Sequence, residues 1–192
     1  FDLEIELVMP STSTRERTLT MEAFGAKVTL LDNIEISRDY ADEKAATGEF
    51  YILNQFANPD NYKAHYKTTG PEIWKDTHQS ITHFVSSMGT TGTIMGCSRF
   101  FKEVNSAIQI VGCQPTEESS IPGIRRWPKE YLPKIFEPER VDRVIDVSQQ
   151  ESTEMARKLA KVEGIFAGMS SGGAASAAFR LASELKSGVI VF

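Results

Sequence analysis

The residue types with the most evident chemistry lie in Ser86-Ser87-Met88-Gly89-Thr90-Thr91-Gly92-Thr93. This stretch follows a strand pattern, Ile81–Val85, and precedes a helical pattern reaching about Glu103. Glycine lets a backbone approach an anion closely, the first N–H groups of a helix lack intrahelical partners, and threonine hydroxyls add donors. Gly89, Thr90, Thr91, Gly92 and Thr93 are therefore expected to form a cup for a phosphate monoester. Amides and the helix dipole, not Lys or Arg, would hold its charge. The plainer alternative is a tight strand-to-helix turn with threonine caps. A second stretch, Gly168-Met169-Ser170-Ser171-Gly172-Gly173, also reads as a strand end entering a helix. By itself it suits a helix N-terminus with glycines for close packing. The first loop has no Gly-Lys-Ser/Thr, and Gly89, Gly92 and Gly96 do not follow G-x-G-x-x-G. The next strand ends in Cys113-Gln114 where a ribose-binding acid would be needed, so a nucleotide-binding module is a poor fit.

Both loops need a scaffold, and the chain supplies alternating strand and helix patterns. A strand is expected from Phe1 to Met9. The Ser13/Glu16 spacing suggests a capping box for a helix ending at Gly25. Lys27–Leu31 reads as a strand, Ile36–Thr47 as a helix, and Tyr51–Leu53 as a short strand. Asn54–Asn61 is loop chemistry and a plausible domain junction. A helical stretch, Tyr62–Thr77, is interrupted by Gly70-Pro71. Strands follow at Ile81–Val85, Ile108–Cys113 and Val141–Val147, with an irregular, five-proline segment, Gln114–Pro138, between the last two. Ser148/Glu151 predicts a capping box for a helix to Gly164, and an Ala-rich helix to about Lys186 leads to the last strand, Gly188–Phe192. This order defines an α/β fold, with open, mostly parallel sheets and flanking helices.

Composition narrows the classes. With 192 residues, 41% hydrophobic and 24% charged, the chain can bury a core. Its 21 basic and 26 acidic residues give −5, with no Lys/Arg cluster, which argues against nucleic acid. No apolar run approaches the ~20 residues of a membrane span. Cys97 and Cys113 sit among apolar neighbours and read as reduced core residues of a cytosolic protein. His65, His78 and His83 lack metal-ligand spacing, so no metal is expected. The chain opens and closes inside apparent strands, which suggests part of something longer.

Four ordered segments carry a resemblance. They are Asn54–Pro59 with His65–Trp74, Thr82–Thr93, Ser119–Pro128, and Gly164–Gly173. Together they resemble the cysteine synthase (O-acetylserine sulfhydrylase) family of fold-type II pyridoxal-phosphate enzymes, which are tryptophan synthase β-like in fold, and most closely its B-type branch. The resemblance implies that residues 1–55 are the remnant of a small, incomplete domain and that 56–192 form the large cofactor-binding domain. It implies that Gly89 to Thr93 cradle the phosphate of pyridoxal 5′-phosphate. Ser170 would bond the pyridine nitrogen, with Ser171 the competitor one residue on. Gln55 would help hold the substrate carboxylate, and Arg125 and Arg126 would attract an anionic sulfur donor such as thiosulfate. The implied activity is β-replacement on O-acetylserine by a cytoplasmic homodimer. Its products would be L-cysteine from sulfide or S-sulfocysteine from thiosulfate.

The sequence also departs from the family pattern. The family's Schiff-base lysine segment, Asn-Pro…Ser-x-Lys-Asp-Arg, and its Ser/Thr-Gly-Asn-Thr-Gly loop have no match here. Lys27, Lys44, Lys75 and Lys158 read as surface residues and Lys67 as helical. No catalytic residue is therefore assigned, and the chain alone is expected to be inactive. The rival reading is a non-catalytic relative that binds the cofactor or phosphate and acts through a protein partner.

Overall fold

A computed structural model of the chain describes residues 3–192. It divides into two compact units, Phe1–Asn54 and Gln55–Phe192.

The first unit is a βαβ arrangement with a second helix. Strands β1 (Glu6–Pro10) and β2 (Lys27–Leu31) pair in parallel, with Glu6 opposite Lys27 and Pro10 opposite Leu31. Helix α1 (Arg15–Ala23) connects them, and α2 (Ile34–Ala46) follows. Four expectations are corrected here. The strand expected from Phe1 begins at Glu6, with Phe1 and Asp2 outside the described residues. The Ser13/Glu16 box does not form, because Thr14 occupies the cap position and makes no side-chain cap bond. Helix α2 starts before Ile36, because the Asn33 side chain accepts the Ile36 N–H at 2.8 Å and caps an earlier turn. Tyr51–Leu53 forms no strand, and Tyr51 and Leu53 are exposed. Across the described residues of this unit no hydrophobic side chain is fully buried.

The second unit holds the core. Its four strands are β3 (His83–Ser87), β4 (Gln109–Pro115), β5 (Arg143–Val147) and β6 (Ile190–Val191). They are all parallel and lie in the order β5-β4-β3-β6. Successive side chains alternate faces. Phe84 and Ile110 pack with Ile94, Met95 and Phe101 of α5 (Gly92–Val104). Val85, Val111, Ile145 and Val147 pack with Ala177, Ala178 and Leu181 of α7 (Met169–Glu184). The central strands β3 and β4 are thus covered on both faces, whereas edge strand β5 alternates exposed and buried residues.

Helices α3 (Asp60–Lys67) and α4 (Thr69–Asp76) lie on the α5 side. The chain breaks at Thr68, not at Gly70-Pro71. Pro71 sits in the first turn of α4, where its missing N–H costs nothing. Helix α6 (Gln149–Lys158) begins with the expected capping box, Ser148 and Glu151 bonding reciprocally. It ends in one π-helical turn, Leu159–Glu163. The strand expected before α7 is absent: residues 164–168 pair with no strand, and Phe166 is 97% exposed.

Candidate functional site

The chain leaves β3 through α5 for β4 on one side and returns through α7 to β6 on the other. Where strand order reverses in this way, a crevice opens beyond the carboxyl ends of the strands. The two predicted loops meet at that edge, because β3 feeds the first directly and α7 begins beside it.

The turn into α5 is held from outside. Met88 N–H donates to the Cys113 carbonyl at 2.9 Å, and the Met88 carbonyl accepts from Arg125 N–H at 2.9 Å. The Trp127 indole N–H donates to the Gly89 carbonyl at 2.7 Å, and the Trp127 ring meets Phe56 edge-on at 5.4 Å. A Cβ on Gly89 would stand 2.7 Å from the Gly123 carbonyl, so only glycine fits. Thr91 caps α5 with φ of 70°. A β-branched residue there is strained by on the order of 1–3 kcal/mol. Its Oγ1 is, among the described residues, the one buried side-chain polar atom without a hydrogen-bond partner. Strain and an orphaned hydroxyl on one residue call for a polar group from outside the protein.

Each neighbouring hydroxyl is arranged by other side chains. Thr90 Oγ1 accepts from Gly92 N–H at 3.3 Å and from Asn61 Nδ2 at 3.1 Å. With both lone pairs engaged, its proton is free to donate outward. Asn61 also donates to the Gln55 carbonyl at 2.7 Å, which ties exposed Gln55 to the cup through its backbone. His65 lies between two threonines, with Nδ1 2.9 Å from Thr69 Oγ1 and Nε2 3.3 Å from Thr93 Oγ1. Burial pushes the His65 pKa down, favouring the neutral ring. Gly96 makes this possible. A Cβ there would lie 2.6 Å from the His65 Cβ and closer still to the Tyr62 carbonyl, so α3 can ride directly on α5.

Ser170 and Ser171 occupy the first turn of α7. The Ser87 hydroxyl donates to the Ser170 carbonyl at 2.7 Å. Gly123, at φ of 94°, approaches Ser170 from the other side. A cavity of about 540 Å³ lies between, lined by Thr69, Ser86, Ser87, Thr93, Ser170 and Ser171 among apolar groups. No lysine, arginine or carboxylate is in its lining. Arg125 Nη1 donates to the Ile124 carbonyl at 2.9 Å. Arg126 donates to the Pro115 carbonyl at 2.9 Å and pairs with Asp146 at 2.5 Å. Of the residues expected from the sequence, Thr93, Ser170 and Ser171 line this cavity, whereas Gly89, Thr90, Thr91, Gly92, Gln55 and both arginines lie outside its lining. Cys97 and Cys113 are buried, and that burial pushes both thiols to about 12, so they are inert. Among the described residues no cluster of His, Cys, Asp or Glu could hold a metal, and no helix is long and apolar enough to cross a membrane.

Three residues that sequence reasoning passed over belong to this site. Asn61 and Gly123 lay within segments noted for other reasons. His65 could have been found from its i, i+4 spacing to Thr69.

A parallel sheet with a glycine- and threonine-rich turn at the point where strand order reverses is the α/β architecture that places a ligand site beyond the strands' carboxyl ends. The chain belongs to the pyridoxal-phosphate dependent enzyme family, whose sequence model matches residues 1–192. It is 57% identical over 188 residues to cysteine synthase B of Pseudomonas aeruginosa, covering 96% of this chain and 63% of that protein. It is 53% identical over 190 residues to cysteine synthase B of Escherichia coli K12, covering 97% and 63%. The crystal structure of a cysteine synthase from Entamoeba histolytica superposes with a TM-score of 0.85 at 34% identity, covering 98% of this chain and 60% of that one. The chain therefore spans somewhat under two thirds of the length of these relatives.

Proposed function

We propose that this chain is the greater part of a B-type cysteine synthase. It would catalyse β-replacement on O-acetylserine, with sulfide or thiosulfate as sulfur donor, as a cytoplasmic homodimer. Residues 1–54 would be the remnant of the small domain, and the second unit the cofactor-binding domain. The observation that carries the reading is the cup itself: strained Thr91 with an orphaned buried hydroxyl, at the N-terminus of α5, beside Thr90 with its proton free. This donor set fits a phosphate dianion, which helix N-termini hold without a basic side chain.

Gly89, Thr90, Thr91, Gly92 and Thr93 would hold the phosphate. The bound cofactor supplies an electron sink for bonds at the substrate Cα. Ser170 would bond its ring nitrogen. A hydroxyl retains a proton there less firmly than a carboxylate does, which favours expulsion of a β-leaving group over reprotonation at Cα. Gln55, tethered through Asn61, would orient the substrate carboxylate. Arg125 or Arg126 could attract an anionic donor only by releasing its present carbonyl or Asp146 partners. No lysine lines the cavity, which supports the inference that the lysine carrying the cofactor is not among these residues and that the chain alone is inactive.

That same observation favours the rival, a non-catalytic binder. One experiment separates them. The full-length protein, loaded with pyridoxal phosphate, should change its visible spectrum on adding O-acetylserine and then consume sulfide. No change with any β-substituted serine would overturn the enzymatic reading.

A further inference from the structure

We propose that His65 is a positioning residue of the cup, acting as its neutral Nε2–H tautomer to aim the Thr93 proton at the bound phosphate. The inference rests on the function proposed above and adds a residue to it.

Without an anion, either direction satisfies the Thr69–His65–Thr93 chain, since each hydroxyl and ring nitrogen can serve as donor or acceptor. An anion removes that freedom. A phosphate oxygen only accepts, so Thr93 must donate its single hydroxyl proton outward. Thr93 Oγ1 can then only accept from His65, which requires the proton on Nε2. Nδ1 is left as an acceptor, and the Thr69 hydroxyl donates to it. Both contacts are within hydrogen-bond reach, 2.9 Å at the Thr69 end and 3.3 Å at the Thr93 end, so the chain can take this direction without rearrangement. Burial of the ring keeps it neutral, and an imidazolium would lack the acceptor that Thr69 needs. Gly96 fixes the ring's position by letting α3 sit against α5. Thr69 and Thr93 both line the cavity, and Thr93 is also the residue by which the cavity meets the turn of Gly89 to Thr93.

The test uses the full-length protein with pyridoxal phosphate and, separately, inorganic phosphate. Nitrogen NMR of isotope-labelled histidine should show His65 as a single Nε2–H tautomer in the loaded protein. His65→Ala should weaken cofactor retention roughly tenfold, one hydrogen bond to a charged acceptor. His65→Gln, whose amide can still donate to Thr93, should recover most of that loss. Thr69→Val leaves the anion's demand on Thr93 intact, so its loaded form should keep the Nε2–H tautomer while its ligand-free form is no longer confined by either hydroxyl, which serves if His65→Ala does not fold. An Nδ1–H tautomer in the loaded protein, or equal retention by the Ala and Gln variants, would overturn the proposal alone. A wild-type protein that takes up neither ligand would overturn the cup as well.

Discussion

The turn into α5 passes straight from β3, with both flanking carbonyls engaged by the Arg125–Trp127 segment. The turn into α7 is entered from residues 164–168, which join no sheet, and is tied to β3 through one hydrogen bond, Ser87 to the Ser170 carbonyl. Both are made of glycines and hydroxyl residues, yet only the first stores backbone strain and an unpaired buried hydroxyl. Residue type alone did not distinguish them; attachment did. A turn held on both sides can keep a residue in an unfavourable conformation for a ligand's sake, whereas a loosely entered one relaxes into regular helix.

The two turns share one device, and it gives the largest expected effect. A Cβ on Gly172 would lie 2.7 Å from Ala156 N and closer still to the Ser152 carbonyl, so α6 rides on α7 as α3 rides on α5 over Gly96. Gly96→Ala and Gly172→Ala should each destabilise by about 3 kcal/mol, measured by urea unfolding of the full-length protein. Phosphate protection against unfolding should be lost only in Gly96→Ala, since only that crossing positions His65. Loss in both would erase the distinction.

Glycine placed within the turns should act with opposite signs. Thr91→Gly relieves a left-handed β-branched residue and should raise ligand-free stability by about 1 kcal/mol while cofactor retention falls roughly tenfold. Ser170→Gly lies in regular helix and should lower stability by about 0.5–1 kcal/mol. Thermal melts with and without inorganic phosphate read both. A destabilised Thr91→Gly would mean that the strain at Thr91 is illusory. A smaller effect separates the adjacent serines: Ser170→Ala should alter the visible absorption of the bound cofactor, and Ser171→Ala should leave it unchanged.

The parallel α/β sheet was legible because the middles of β3 and β4 are buried on both faces, while edge strand β5 alternates exposed and buried residues around Val144, Ile145 and Val147. The turn of Gly89 to Thr93 was legible because strand, glycines and helix follow one another within a few residues. What escaped was non-local. Ser13 and Glu16 have the spacing of a capping box as Ser148 and Glu151 do, but only the second pair bonds, because the chain enters α1 with Thr14 at the cap position. Ile165 and Phe166 look like strand residues, but no neighbouring strand pairs with them. The i, i+4 spacing of His65 and Thr69 signals only half of the arrangement, since Thr93 is brought to His65 by helix packing over Gly96.

Glu151 accepts the Ser148 N–H at 2.8 Å, and this bond, with the Ser148 hydroxyl and Arg180, holds its carboxyl below the usual carboxylate range. A lowered folded-state pKa contributes stability above the ordinary value and loses it as pH falls through the lowered one. The carboxylate is largely solvated, so screening limits the effect to about 0.5 kcal/mol. Helix α6 supports α7, so mild acid should speed amide exchange in 169–184 before 92–104, because the bonds holding the first turn involve carbonyls and an indole that do not titrate. Glu151→Gln keeps an acceptor at the cap but cannot lose charge, so its exchange in 169–184 should be indifferent to that pH change. If the variant still loosens in acid, the capping box is not what steadies the second turn.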